Sequence, residues 1–87
     1  MRTPTIHTNG TSADALTQAL ETAVNALRHA QEALSDCQPN GRDYSPQGVA
    51  GWREALAEHV ARVEKLSSVR AELEAMWEVI TNSNAAA

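Results

Sequence analysis

The sequence predicts an all-α protein, an antiparallel two-helix hairpin that assembles into a homo-oligomeric helical bundle. Apolar residues recur at alternating steps of three and four through two long segments, as in helices that pack knobs into holes. Pro39, Asn40 and Gly41 interrupt this pattern near the middle of the chain. An alanine-rich chain of 87 residues without phenylalanine buries too little surface alone. Because Cys37 is the single cysteine and cannot form an internal disulfide, self-association is the expected source of stability.

Capping and turn residues set the expected boundaries of each segment. The Thr11 hydroxyl is expected to cap the first helix. Ser45 is expected to cap the second helix, with Pro46 in its first position, where a missing N–H costs nothing. The expected segments are an N-terminal arm (1–10), a first helix (11–37), a loop (38–45), a second helix (46–81) and a disordered tail (82–87).

The interface between subunits is expected to use the apolar seams of both helices. An alanine flank beside the first seam lets another helix approach closely, which favours a bundle of four or more helices. His59 and Arg70 are polar residues within the second seam and are expected to extend to solvent or to fix register across the packed helices. The alternative is that they line a central pocket. The end of the longer second helix is expected to project past the first and to be covered both by Ile6 of the arm and by a second subunit. The expected interface residues are Leu20, Leu27, Leu34, Trp52, Leu66, Leu73, Met76, Trp77 and Ile80.

Charge and composition exclude several functions. The net charge is -4 and no basic patch is present, so nucleic-acid binding is not expected. No apolar stretch is long enough for a signal peptide or a membrane span, which predicts a soluble, cytoplasmic protein. No nucleophile, base and orienting group occur in a usable pattern, and no metal-ligand pair is present. We therefore expect a non-enzymatic protein without a cofactor or metal.

Two polar segments are the candidate ligand-binding sites. His7, Thr8, Asn9 and Thr11 precede the first helix, whose free N–H groups and partial positive charge suit an anion such as phosphate. The alternative is that Asn9-Gly10 is simply a turn and Thr11 simply a cap.

The second segment precedes the second helix. Its members offer a guanidinium, a carboxylate, a phenol and two amides: Asn40, Arg42, Asp43, Tyr44 and Gln47. Arg42 is suited to grip a phosphate with two hydrogen bonds, and Tyr44 to stack on a base. The alternative is a structured loop in which Arg42 and Asp43 pair locally and Tyr44 packs.

The segments Thr3–Ser12 and Asn40–Gly48 resemble a family of short, largely uncharacterised phage proteins that form helical hairpins. The resemblance extends over most of the chain, through the pattern from Glu58 to Glu74 in the second helix. The family's loop usually has a second tyrosine where this chain has Ser45, and often a proline where it has Val49.

The resemblance implies an anti-defence protein acting in the host cytoplasm. The function we expect is sequestration of a nucleotide immune signal, such as a cyclic oligonucleotide or an ADP-ribose derivative, in pockets of the oligomer. One alternative is an acidic helical inhibitor that blocks a host defence protein, as anti-CRISPR proteins do. Another alternative is a structural phage accessory protein.

Overall fold

The computed structural model describes residues 1–86, with the side chains of residues 1–83. The chain forms helix α1 (Ala13–Ser35), a short helix α2 (Gly41–Tyr44), a 3-10 turn (Ser45–Gln47) and the long helix α3 (Gly48–Ala86). This part of the chain contains no strand, and the prediction of an all-α protein is confirmed. None of these helices combines the length and apolar character needed to cross a bilayer.

Helix α1 begins two residues later than the sequence predicts. Ser12, not Thr11, is the cap: its Oγ accepts a hydrogen bond from the Ala15 backbone N–H at 3.1 Å, which satisfies one of the free donors of the first turn. The helix also ends earlier than residue 37. The N–H of Asp36 bends back to the Ala33 carbonyl at 3.1 Å, the tightened geometry of a final turn.

The connection is more ordered than the predicted loop at 38–45. Asn40 Oδ1 accepts hydrogen bonds from the Arg42 and Asp43 N–H groups at 3.0 and 3.2 Å, and this caps α2. The 3-10 turn then contains Pro46, which lies before α3 and not in its first position as predicted. Helix α3 starts only at Gly48, whose φ of 79° and ψ of 177° reorient the chain.

Helix α3 runs further than predicted. Its backbone remains helical through residues 82–86, where the sequence predicted a disordered tail, and Ala87 lies outside the described residues.

The contacts between α1 and α3 occur in antiparallel order along the two helices. Near one end, Trp77 Nε1 donates to Glu21 Oε1 at 3.0 Å. Near the other, Gln31 Nε2 donates to Ser67 Oγ at 2.6 Å. Trp77 and Ile80 therefore lie opposite the first half of α1, although the sequence placed them in an overhang beyond it. The arm lies against the last turns of α3, where residues 3–6 line a cleft of about 470 Å³ with Val79 and Ile80.

The paired helices form an elongated body with a very small core. The backbone measures 61 × 20 × 19 Å and its radius of gyration is 18.8 Å, against about 12 Å for a compact domain of this length. The buried residues among those described are Ala13, Val24, His59 and Ile80. Most other apolar side chains of the two seams are half-buried, so both helices keep apolar surface in contact with water.

Candidate functional site

The arm residues form a turn immediately before α1. The Gly10 N–H donates to the His7 carbonyl at 3.1 Å, which closes the turn over Thr8 and Asn9. The His7 ring lies close to Gly10. A Cβ atom added at Gly10 would come within 2.6 Å of His7 Nε2. All four predicted residues of this segment, including Thr11, are exposed. Ser12 rather than Thr11 supplies the side-chain cap, so the Thr11 hydroxyl makes no capping bond within the described structure.

The second segment is a small, pre-organised turn that displays Arg42. Asn40 caps it through Oδ1, and its Nδ2 donates to Asp43 Oδ2 at 3.0 Å. The Arg42–Asp43 pair of the alternative interpretation is absent from the salt bridges of the described residues, because Asp43 faces Asn40 instead. The exposed Arg42 guanidinium has no hydrogen-bond or ion-pair partner there. Its neighbour Tyr44 is half-buried, so the phenol is partly fixed in place.

Gln47 is the last residue of the 3-10 turn and is exposed. Its side chain lies against Gly51, where an added Cβ would come within 2.7 Å of the Gln47 Cβ. A small cavity of about 240 Å³ opens near this turn, lined by Gly41, Ser45, Gly48, Val49 and Trp52. Trp52 Nε1 is buried and has no hydrogen-bond partner in the described structure. The sequence predicted Trp52 as an interface residue. Its position beside this turn depends on how the backbone runs from α2 to α3, which the spacing of apolar residues does not predict.

A single chain does not bring the two candidate segments together. The arm turn precedes α1 and the Arg42 turn follows it. The 23 residues of α1 therefore separate them by about 35 Å at 1.5 Å per residue. If both segments contact one ligand, they must come from different copies of the chain.

The predicted interface residues divide into two groups. Ile80 is buried against α1 and the arm, and Trp77 is engaged with Glu21 of the same chain, so both contribute to packing within one chain. The others are half-buried and keep apolar surface available for further packing: Leu20, Leu27, Leu34, Trp52, Leu66, Leu73 and Met76.

The seam residue Arg70 belongs to a polar network between the helices, whose member on α1, Gln31, the sequence did not predict. Arg70 Nη1 donates to Gln31 Oε1 at 2.6 Å, and Arg70 Nε pairs with Glu74 Oε1 at 3.2 Å. Gln31 in turn donates to Ser67. The sequence signal was a glutamine on the side of α1 that carries Ala13 and Val24, where a nonpolar residue would be expected.

The reactive side chains of the chain are dispersed. Cys37 is exposed just after α1, and His59 is buried on α3 near Leu56 and Val63. Within the described residues, no three His, Cys, Asp or Glu side chains are grouped so as to hold a metal ion. No family model, curated protein or solved structure matches this chain.

Proposed function

We propose that this protein acts in the host cytoplasm as a phage-type anti-defence protein, which binds and sequesters a nucleotide immune signal without chemically changing it. The observation that carries the proposal is the state of Arg42. Its guanidinium is exposed on a turn fixed by Asn40 and Asp43, and it is not committed to any partner in the described structure. A planar, permanently charged fork of this kind is suited to grip a phosphate through two parallel hydrogen bonds.

Tyr44 adds the second element of nucleotide recognition. It lies two residues after Arg42 and is half-buried, so the residue is neither fully packed nor fully open to solvent. An aromatic face next to a phosphate-binding cation can stack on a base, an interaction worth about 1–3 kcal/mol per base. The helical turn fixes the spacing of the two side chains and lowers the entropy cost of ordering them around a ligand.

The active form in this proposal is a homo-oligomeric bundle of antiparallel hairpins. The surface area supports self-association: one chain exposes 6378 Å², whereas a compact monomer of this mass exposes about 5,000 Å². The excess of about 1,400 Å² is larger than the roughly 800 Å² that each partner contributes to a stable interface.

Native mass spectrometry tests the proposal directly, because it reports the oligomer mass and any bound small molecule together. The probes are a panel of cyclic oligonucleotides and ADP-ribose derivatives. We expect an oligomer that takes up one of them in fixed stoichiometry. Arg42→Ala should weaken that binding at least tenfold while the circular dichroism of the helices is unchanged. Arg28→Ala, the same charge change at an exposed site on α1, should bind as the unmodified protein does.

A second candidate function is inhibition of a host defence protein by an acidic surface. It is favoured by the exposed Glu54, Glu58 and Glu72, which share one side of α3 at helical spacing. Arg62 pairs with Glu58 at 3.5 Å and partly neutralises the negative charge of this surface. A fourth acidic residue of α3, Glu78, lies on another side of the helix and does not add to it. An oligomer that binds no nucleotide but captures a host protein in fixed stoichiometry would replace sequestration with this function.

A further inference from the structure

The charges of α1 are confined to one side of the helix. With 3.6 residues per turn, the ionisable residues from Asp14 to Asp36 all fall within a sector of about 100°. The opposite side has no charged residue over a wider sector. We name it the alanine–leucine face and define it by two sets of residues: Leu16, Leu27 and Leu34, and Ala19, Ala26 and Ala33.

Helix α3 leaves the alanine side of this face open. The α1 residues whose contacts with α3 are hydrogen bonds, Glu21 and Gln31, lie around the helix from those alanines, as does the buried Val24. The three alanines of the alanine–leucine face are exposed, and its three leucines are half-buried. A helix with one apolar side packed and a second apolar side in water is built to pack against two neighbours. The chain itself supplies one of these neighbours, α3.

We infer that the second neighbour is α1 of another copy of this chain, packed antiparallel across the alanine–leucine face. The inference deepens the proposed function and rests on it. The exposed area of the whole chain exceeds that of a compact monomer by about 1,400 Å², and a stable interface takes about 800 Å² from each partner. Two hairpins joined in this way form a four-helix bundle.

The order of large and small residues selects the antiparallel arrangement. About a two-fold axis between Ala26 and Leu27, Leu27 lies opposite Ala26 of the second copy. About the same axis, Leu34 lies opposite Ala19 of the second copy and Leu16 opposite its Cys37. Leu20, at the edge of the face, lies opposite Ala33. Each leucine therefore meets a small residue, which allows the side chains to interdigitate at the density of a protein core. A parallel pair in register would instead set leucine against leucine and alanine against alanine, leaving gaps at the alanines.

The antiparallel pair also unites the two candidate binding segments. The C-terminal end of α1, which leads to the Arg42 turn, lies beside the N-terminal end of the partner's α1. That N-terminal end follows the arm that contains His7 and Thr11. The segments are about 35 Å apart in one chain, at 1.5 Å per residue of α1. In the pair, each end of the bundle carries one turn from each copy, and the second copy contributes residues to the nucleotide site.

Cysteine cross-linking tests the arrangement. In a Cys37→Ser background, Ala26→Cys places two thiols next to the two-fold axis, within reach of a short bifunctional reagent across helices about 8–10 Å apart. Ala33→Cys is the matched control, since it lies on the same face and is equally exposed. Its two thiols would be about 20 Å apart along an antiparallel pair, at 1.5 Å per residue. We expect a covalent dimer from Ala26→Cys and a several-fold lower yield from Ala33→Cys.

Two other results would overturn the inference. Equal cross-linking of both variants would indicate a parallel pair, and cross-linking of neither would remove this face from the interface. A charge on the face provides a second measurement. Ala26→Glu should reduce the mass in sedimentation to that of one hairpin, whereas Gln18→Glu, on the charged side of α1, should not. Retention of the oligomer mass by Ala26→Glu would contradict the interface.

The inference and the proposed function fail in different ways. If the oligomer takes up nucleotide while neither cysteine variant cross-links, the alanine–leucine face is rejected and sequestration stands. If only Ala26→Cys cross-links and no probe nucleotide binds, the paired surface stands and sequestration is rejected.

Discussion

Arg70 on α3 donates a hydrogen bond to Gln31 on α1 at 2.6 Å, and this contact determines how the two helices are aligned along their lengths. Gln31 uses its other amide atom to donate to Ser67, one turn earlier on α3. Glu74 Oε1 accepts from Arg70 Nε at 3.2 Å, one turn later on α3. Every strong polar group of this network has a partner, and a slip of one helix by a single residue would leave the guanidinium or the amide unpaired.

Gln31→Ala should lower the free energy of unfolding by about 1–2 kcal/mol, because it removes the acceptor of a half-buried guanidinium. The value lies below that of a fully buried charged bond, since water can still reach Arg70. Urea denaturation followed by circular dichroism at fixed protein concentration measures the change. Gln18→Ala, at an exposed position of the same helix, should change the stability by less than about 0.5 kcal/mol. Equal effects of the two substitutions would mean that the network does not stabilise the pairing.

Ile80 is the most deeply buried large side chain among the described residues, with 1% of its surface exposed. Ile80→Val should cost about 1 kcal/mol and Ile80→Ala about 2–4 kcal/mol, because each step enlarges a cavity that the arm and α1 can only partly fill. Val69→Ala is the control, since 45% of the Val69 surface is exposed; it should cost about 0.5 kcal/mol or less. A flat response across the Ile80 series, measured by thermal unfolding, would show that the arm and α1 do not enclose this residue.

The periodic part of the fold could be predicted from the sequence, and the ends of its elements could not. Steps of three and four from Trp52 to Ile80 identify one continuous helix, since only a helix keeps these residues on one side. The start of α1 depended on a choice between the adjacent hydroxyls of Thr11 and Ser12, which have the same chemistry. The helix α2 has four residues, too few for a periodic pattern. The sequence therefore predicted a loop there and did not identify Asn40 as a helix cap.

The candidate site was predicted as a set of residues and not as an arrangement. Polar groups near a helix start indicated Arg42 and Tyr44, and both lie on the turn as expected. The sequence could not show that Asp43 would bond to Asn40 and leave Arg42 without a partner among the described residues, because that depends on one side-chain rotamer. Gln31 and Arg70 are 39 residues apart in sequence, and their contact depends on the relative position of two helices, which no local pattern encodes.

Gly48 is the residue that permits the turn around Arg42 to lead into α3. Its φ of 79° with ψ of 177° is a backbone conformation that essentially only glycine adopts without strain. Gly48→Ala should therefore destabilise the protein by about 1–3 kcal/mol, although no atom lies within 4 Å of the added methyl group. The cost would come from the backbone alone.

Gly41→Ala is the matched control, because Gly41 also has open space around its Cβ position but lies in the first turn of α2 without a positive φ. Alanine there should leave stability unchanged or raise it by up to about 1 kcal/mol, since it reduces the freedom of the unfolded chain. Urea denaturation of the two variants at equal concentration measures the difference. If Gly48→Ala proved as stable as Gly41→Ala, α3 would not need a left-handed residue at its start, and the turn that displays Arg42 would have a different path.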